Sequence, residues 1–378
     1  MADFFDYLQW RGDLSFEQVP FGKVDALLLA HIAYCLFDGV VPQSFDEKKT
    51  FAQVAADFSA LPDYEERINI GFLINKRTTE LMFKTAESQR FRDIELCGFR
   101  NIYNEENVEQ FAALTYLVNG QPVLALRGTD DTIVGWKEDF NIAWLPQIPA
   151  QKDALEYFEA ACRSLKGDMI LTGHSKGGNL VINTAVRCGE KLQKRIAAVY
   201  NFDGPGFSSD FFELPEYKTV EDRIFSFYPE FSVVGMIFHH PNFYEIVKSE
   251  GFAFWQHDAM NWQISGKDFV NAGEFTDESK LFYNAFNAWI DKLDVEQKKA
   301  FVETMFCILE ASGAKTNNEI EKDALKATAK MLAAYAEMDK DRRKELHKIL
   351  SMFKDVMADD IPIFKPMVLL KNNLRILD

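Results

Sequence analysis

Residues 168–187 read Asp-Met-Ile-Leu-Thr-Gly-His-Ser-Lys-Gly-Gly-Asn-Leu-Val-Ile-Asn-Thr-Ala-Val-Arg. The first residues of this stretch form an apolar run that predicts a short buried strand, and the residues after Gly178 predict an amphipathic helix. The sequence Gly173-His174-Ser175-Lys176-Gly177 between them predicts a very tight turn, because glycine tolerates close backbone approach and unusual dihedral angles. Such a turn lifts the Ser175 hydroxyl above the edge of the sheet.

Ser175 is therefore a candidate nucleophile. The spacing G-x-S-x-G, with a strand before it and a helix after it, is typical of a nucleophile elbow, in which the serine is held in a strained conformation. The dipole and the free N–H groups of the helix favour an anion that develops beside this serine. The competing interpretation is a glycine-rich turn between a strand and a helix that carries an inert serine.

The composition is that of a globular protein with a sizeable core. Its 378 residues are 47% apolar and include 34 phenylalanines. The net charge of −16 argues against a nucleic-acid partner and gives no attraction to an anionic membrane surface. The five cysteines are widely spaced and form no CxxC pair, which favours free thiols over a disulfide framework or a zinc site. We expect no metal and no cofactor.

The sequence shows no targeting signal that would place the chain in a membrane. The first residues lack a basic region followed by an apolar run, so no secretory signal is expected. No apolar stretch reaches the roughly 18–20 residues of a membrane helix. We therefore expect no transmembrane segment and a cytoplasmic location.

Strands and helices alternate from about residue 120 to residue 230. This alternation predicts an α/β fold with a doubly wound, mostly parallel sheet. Asn119-Gly120, between two apolar runs, predicts a two-residue hairpin at the start of this region. Thr129, Ser175 and Asp203 each follow a predicted strand, and we expect them at the carboxyl edge of the sheet, where such sheets bind ligands.

Helical patterns dominate both ends of the chain. Residues 1–90 are expected to form a helical N-terminal segment of a catalytic domain that spans residues 1–272. Residues 273–378 are expected to form a helical appendage, with helices at about 276–292, 295–312, 317–338 and 341–357. We expect this appendage to cover the catalytic domain, or to bind a protein partner or a second copy of the chain.

A serine nucleophile needs a histidine base and a carboxylate that orients the histidine. His257 is our candidate base, because it lies in a loop after the strand predicted at 244–248. The pair His239-His240 is the alternative. Asp203 and Glu230 compete as the acid, since each follows a predicted strand, and we favour Asp203 on strand placement. A turn in Asp-Gly-Pro-Gly is the other role open to Asp203.

The oxyanion of an acyl-transfer reaction needs two backbone donors. One should be the N–H of Lys176, directly after the nucleophile, and the other should come from a loop at the end of an earlier strand. Gly128-Thr129 is such a loop, so Thr129 and Lys176 are the candidate oxyanion residues. Aromatic stretches at 207–212 and 225–254 predict an acyl pocket or a lid, or else core packing.

Together these motifs resemble a known group of enzymes. Leu126-Arg127-Gly128-Thr129-Asp130 with Trp136 and Asp139, followed by Gly173–Gly178, resembles the pattern of class 3 (fungal-type) lipases. The motifs at 7–13, 201–207, 232–236 and 256–258 look more specifically like an uncharacterised bacterial branch of α/β-hydrolases related to those lipases. The resemblance implies an α/β-hydrolase fold, Ser175 as the nucleophile and Thr129 as an oxyanion residue.

One position departs from the lipase pattern. Class 3 lipases carry their acid in an Asp-x-Val-Pro turn, and this chain has Ser232-Val233-Val234-Gly235 there. A serine does not stabilise an imidazolium as a carboxylate does. Either Glu230 takes over, or the acid moves to Asp203, which is similar to the pancreatic lipase pattern.

These observations predict a serine hydrolase that cleaves carboxylic esters, on an acyl lipid or a small acyl ester. A non-catalytic hydrolase-fold protein that binds a ligand or a partner is the alternative, and Ser232 is its main support. A thioesterase or a peptidase on the same fold is a further alternative, because the elbow does not encode the leaving group.

Overall fold

The computed structural model describes residues 2–71 and 74–356, and a single eight-stranded sheet forms its centre. The strands are β1 Lys49–Thr50, β2 Glu95–Asn104, β3 Glu109–Val118, β4 Gln121–Leu126, β5 Met169–His174, β6 Ile196–Phe202, β7 Ile224–Pro229 and β8 Tyr244–Val247. Two short strands, β9 Ile264–Ser265 and β10 Asp268–Phe269, form a separate hairpin.

Fifteen α-helices surround the sheet in the part of the chain that the structure describes. They are α1 Phe4–Arg11, α2 Lys23–Ile32, α3 Phe51–Ser59, α4 Tyr64–Arg67, α5 Thr78–Glu87, α6 Ile133–Asn141, α7 Pro149–Ser164, α8 Lys176–Arg187, α9 Glu190–Gln193, α10 Pro215–Val220, α11 Asp277–Ile290, α12 Val295–Glu310, α13 Asn317–Lys322, α14 Ala324–Glu337 and α15 Lys340–Val356. No helix within residues 2–71 and 74–356 is both long and apolar enough to span a membrane.

Neighbouring strands of the sheet follow chain order from β1 to β8. The strands from β1 to β4 pair antiparallel, and those from β4 to β8 pair parallel. This mostly parallel sheet with flanking helices confirms the predicted α/β-hydrolase fold class. The hairpin at Asn119-Gly120 is also confirmed: Val118 pairs with Gln121, and both turn residues have positive φ, as a tight hairpin turn requires.

Each face of the sheet packs against its own set of helices. On β4, Val123 and Ala125 point into an apolar cluster with the N-terminal helices, which include α2, α3 and α5. Leu124 and Leu126 point the other way, into a cluster with α7, α8 and α10. Because successive residues of a strand face opposite sides, a sheet buried on both faces needs this nearly continuous apolar sequence.

A buried ion pair holds the helical N-terminal segment together. Arg90 donates to Asp25 at 2.6 Å, both side chains are almost completely buried, and Tyr7 of α1 donates to the same carboxylate at 2.6 Å. The sequence did not predict α1, because only Phe4 and Tyr7 of its eight residues are buried and no apolar periodicity stands out. The second helix of this segment, α2, is buried along its length and ends at Ile32.

The C-terminal region is helical as far as residue 356. The helix predicted over 317–338 is in fact two helices, α13 and α14, because Asp323 lies between them with non-helical dihedral angles. The predicted appendage extends to residue 378, and residues 357–378 lie outside the described part of the chain. The division of the chain at residue 272 stays a prediction.

Candidate active site

Ser175 lies between β5 and α8, at the carboxyl edge of the sheet. Its backbone has φ 59° and ψ −133°, a region that residues other than glycine rarely adopt. Such strain costs on the order of 1–3 kcal/mol and persists only where the surroundings enforce it. The predicted tight turn with a strained serine is therefore present.

The two glycines of the motif let three backbone segments meet at this turn. A Cβ atom at Gly173 would lie 2.2 Å from the carbonyl oxygen of Gly177, and one at Gly177 would lie 2.1 Å from the carbonyl oxygen of Leu126. Neither distance is compatible with a side chain. The elbow is consequently packed directly against the end of β4, from which the Thr129 loop departs.

His257 and Asp203 form a hydrogen-bonded pair at the same edge. Nδ1–H of His257 donates to Oδ2 of Asp203 at 2.6 Å, and the Asp203 side chain is completely buried. This tautomer leaves Nε2 of His257 as a proton acceptor. Ser175 and His257 line the same cavity and, within the described residues, form no hydrogen bond with each other. Catalytic hydrogen bonds of this kind often tighten only when substrate binds.

The structure brings Asp203 to His257, and it does not bring Glu230 there. Oδ1 of Asp203 accepts a hydrogen bond from Oγ of Ser232 at 2.5 Å and another from the N–H of Gly235 at 3.2 Å. The serine that replaces the lipase acid thus lies against the carboxylate that contacts His257. His239 and His240 lie outside the cavity that contains Ser175.

Thr129 and Lys176 lie beside Ser175 on the cavity wall. In the described part of the chain, neither backbone N–H has a hydrogen-bond partner, so both are available as donors. The Thr129 hydroxyl donates to Oδ2 of Asp139 at 2.5 Å, which fixes the loop after β4 against α6. Burial raises the pKa of Asp139 to about 6, although Lys176 and Thr129 oppose the shift.

The Lys176 side chain is turned away from the cavity and completely buried. Its ammonium donates to Oε2 of Glu138 at 2.7 Å and to the backbone and side-chain oxygens of Gln110 at 2.7 and 2.9 Å. Glu138 also accepts from the backbone N–H of Ala150 at 2.8 Å. Lys176 therefore contributes its backbone at the site, and its side chain ties the elbow to β3 and α6.

His174 contacts the back of the His257 loop, a role that the sequence did not reveal. Its Nε2–H donates to the backbone oxygen of His257 at 2.8 Å, and its Nδ1 accepts from the Tyr34 hydroxyl at 3.3 Å. The two imidazole rings lie 4.6 Å apart. Burial holds the pKa of His174 well below its ordinary value, so this ring is neutral and its tautomer is set by the two hydrogen bonds. His31 is also buried, and its Nε2 is hydrogen-bonded to the Thr78 hydroxyl at 2.9 Å.

A cavity of about 1040 Å³ extends from Ser175 between the sheet edge and the C-terminal helices. Its walls are mostly aromatic and aliphatic, with contributions from α6, α11, α12 and the segment at 233–238. Phe207, Phe211 and Phe212 pack instead in the core beside α8, so the stretch at 207–212 is core packing. Among residues 2–71 and 74–356, no cluster of side chains is arranged to hold a metal ion.

Comparisons with known proteins give a family match and a weak structural similarity. A family model described as Mbeg1-like matches residues 85–307, a range that contains Thr129, Ser175, Asp203 and His257. Among solved structures, the crystal structure of M37 lipase is similar, with a TM-score of 0.36 and 14% sequence identity. That similarity covers 57% of this chain and 70% of the lipase chain. No curated protein matches the sequence.

Proposed function

This chain belongs to the Mbeg1-like family, which is lipase-like, and on that premise we propose that it is a serine hydrolase that cleaves carboxylic esters. The observation that carries the proposal is the buried bond between Asp203 and His257 beside a strained elbow serine. A histidine oriented by a buried carboxylate is the base that such a serine needs.

The proposed reaction proceeds by acyl transfer in two stages. Ser175 attacks the ester carbonyl while Nε2 of His257 takes its proton, and Asp203 stabilises the imidazolium. The N–H groups of Thr129 and Lys176 hold the oxyanion of the tetrahedral intermediate. His257 returns the proton to the leaving alcohol, and a water molecule then releases the acid from Ser175 by the same steps.

Two observations favour this proposal over a non-catalytic hydrolase-fold protein. The departure at Ser232, which suggested lost activity, is offset because Asp203 supplies a carboxylate in contact with His257 from another position. The strain at Ser175 is also retained, although an inert turn has no need of it. The same catalytic groups can attack a thioester or a peptide amide. The preferred leaving group must therefore be determined by assay.

The proposal is tested by a panel of p-nitrophenyl esters, acyl thioesters and peptide amides. We expect hydrolysis of the esters above the other two classes, and complete loss of activity in Ser175→Ala. Ser208→Ala, at an exposed position outside the cavity, is the matched control and should retain full activity. A wild-type protein that cleaves none of the panel, or a Ser175→Ala variant as active as the wild type, overturns the proposal.

We further infer a cytoplasmic location, which the five free cysteines support because thiols persist in reducing compartments. The C-terminal helices are proposed to serve the catalytic domain first, as a wall of its cavity. A protein partner or self-association through their outer faces is a second proposal, and size-exclusion chromatography with light scattering tests self-association.

A further inference from the structure

Part of the wall of the cavity beside Ser175 comes from the C-terminal helices, beyond the predicted boundary at residue 272. On its C-terminal side the cavity is lined by apolar side chains of α11 and α12, namely Phe282, Phe286, Trp289, Ile290, Phe301 and Val302. The segment predicted to be an appendage therefore forms part of the site. Its sequence carries no catalytic motif, and it contributes an apolar surface to the cavity wall.

This wall is well anchored. Nε1–H of Trp289 donates to the backbone oxygen of Ile349 at 3.1 Å, and its ring lies 5.7 Å from the ring of Phe286 and 5.4 Å from that of Phe301. Phe286 and Phe301 are only half-buried despite their position between packed helices, because they border the open cavity. The aromatic surface is thus held in place and faces empty volume.

The wall is also tied to the loop that carries Thr129. The Asn318 N–H at the start of α13 donates to Oδ2 of Asp131 at 2.9 Å. Lys137 of α6 and Glu310 of α12 form an ion pair at 2.7 Å. These contacts fix the C-terminal helices relative to the oxyanion loop, so the distance from Ser175 to the aromatic wall is determined by the fold.

The wall opposite α11 and α12 is apolar as well, whereas the wall near Ser175 also carries polar side chains such as Asp139 and Asp258. Phe140 and Ala143 lie at one side, and Val233, Ile237 and Phe238 lie at another. Phe238 and Phe286 meet across these elements with ring centroids 6.2 Å apart. Glu321 and Lys322 also line the cavity, but both are exposed, so they lie at its open rim. The part of the cavity between α6, the segment at 233–238 and α11 and α12 therefore offers mainly hydrophobic contact.

We infer that this cavity binds a long hydrocarbon acyl chain, and that α11 and α12 form the surface that sets the preferred chain length. The inference rests on the proposed ester hydrolysis at Ser175. A volume of about 1040 Å³ is at the upper end of the roughly 300–1,000 Å³ of ligand pockets and far exceeds the needs of an acetyl group. Burial of each methylene should raise kcat/KM by roughly fourfold until the cavity is full.

The test measures kcat/KM for esters of butyrate and laurate in wild type and in two variants. Both variants replace an alanine with phenylalanine. Ala143→Phe places a ring in the cavity beside Phe238 and Phe286. Ala288→Phe makes the same change on the exposed face of α11 and is the matched control. We expect the ratio of laurate to butyrate kcat/KM to fall at least tenfold in Ala143→Phe and to stay within twofold of wild type in Ala288→Phe.

A binding measurement keeps the inference separate from the proposed function. Calorimetry with Ser175→Ala should show that laurate binds at least tenfold more tightly than butyrate, and that Ala143→Phe in this background removes the difference. Ester hydrolysis that depends on Ser175, with a chain-length ratio unaffected by Ala143→Phe and no preference for laurate in binding, overturns the inference and leaves the proposed function standing. Binding of laurate without ester hydrolysis overturns the function and leaves an acyl-binding cavity.

Discussion

At the scale of single residues, the carboxylate that contacts His257 comes from Asp203 and not from position 232. Ser232 stands where class 3 lipases carry an aspartate, and its hydroxyl donates to the Asp203 carboxylate that contacts His257. Asp203 has a positive φ of 50°, so its backbone is itself held in an unusual conformation. The carboxylate reaches the histidine from β6, and the serine supports it from the next strand end.

Asp203→Asn should reduce kcat about 10⁴-fold, because an amide at this position holds the histidine in the wrong tautomer. Glu230→Gln removes the competing carboxylate and should leave kcat within twofold of wild type. The measurement is kcat for an ester substrate, with circular dichroism to verify that both variants fold. Similar losses in both variants would contradict the assignment of Asp203.

Ser232→Ala should lower kcat by roughly tenfold to a hundredfold and leave KM nearly unchanged. The buried Asp203 carboxylate then loses one of two hydrogen bonds to Oδ1, and a hydrogen bond to a charged group is worth about 1.5–3 kcal/mol. Ser208→Ala, an exposed serine, again serves as the control. An unchanged kcat in Ser232→Ala would show that Asp203 needs no support from this turn.

At the scale of elements, the elbow is fastened to its neighbours by a buried ion pair. Lys176 is the first residue of α8, yet its ammonium lies beneath the sheet edge with Glu138 of α6 and Gln110 of β3. Its free backbone N–H stays at the site. Lys176 is therefore both the proposed oxyanion donor, through its backbone, and the anchor that sets the position of that backbone, through its side chain.

Lys176→Met should lower the free energy of unfolding by about 3–5 kcal/mol, because it leaves the Glu138 carboxylate buried without its cation. The double variant Lys176→Met/Glu138→Gln removes both charges and should recover a part of this loss. Urea unfolding of wild type, both single variants and the double variant measures the coupling. Additive losses would contradict a direct interaction between the two charges.

At the scale of the whole molecule, buried neutral histidines make stability depend on pH. Burial lowers the pKa of both His31 and His174 in the folded state, so the unfolded chain takes up protons near pH 6.5 that the folded chain does not. Stability therefore falls as the pH falls below about 6.5, by up to about 1.4 kcal/mol per pH unit for each such histidine.

His174→Gln should reduce this pH dependence, since glutamine keeps a donor for the His257 carbonyl and does not titrate. Urea unfolding at pH 7, 6 and 5 measures the slope in wild type and in the variant. The slope of the unfolding free energy against pH gives the number of protons taken up on unfolding. We expect this number to be smaller in His174→Gln than in wild type, by nearly one proton. Equal slopes would mean that His174 is protonated in the folded protein.

The sequence predicted those parts of the molecule whose signals are local. The elbow motif occupies five consecutive residues, and the turn of the hairpin at Asn119-Gly120 occupies two. Each could therefore be identified from residue type and spacing. Asp203 and His257 are 54 positions apart in the sequence. The order of residues along the chain reduced the candidates for the acid and the base to a few, but it could not identify this pair. Contacts such as Ser232 to Asp203 and Lys176 to Glu138 have no local signal, because they depend on how strand ends and helices converge.

The cavity likewise could not be predicted from the sequence, because its walls come from distant parts of the chain. The helical patterns of the C-terminal region predicted its helices and could not show which faces border Ser175. The stretch at 207–212 was a reasonable acyl-pocket candidate from composition, but it packs in the core, whereas Phe286 and Trp289 line the cavity. Aromatic side chains suit both environments, and only the packing of the elements distinguishes them.

The most direct test of the central claim is the reaction of the protein with a fluorophosphonate, followed by intact mass and peptide mapping. Such reagents form a stable adduct only with a serine that an adjacent base activates. We expect one adduct per chain on Ser175 in wild type, none in Ser175→Ala, and much slower labelling in His257→Gln. Equal labelling of wild type and Ser175→Ala, or an unlabelled wild type, would contradict the claim that Ser175 is an activated nucleophile.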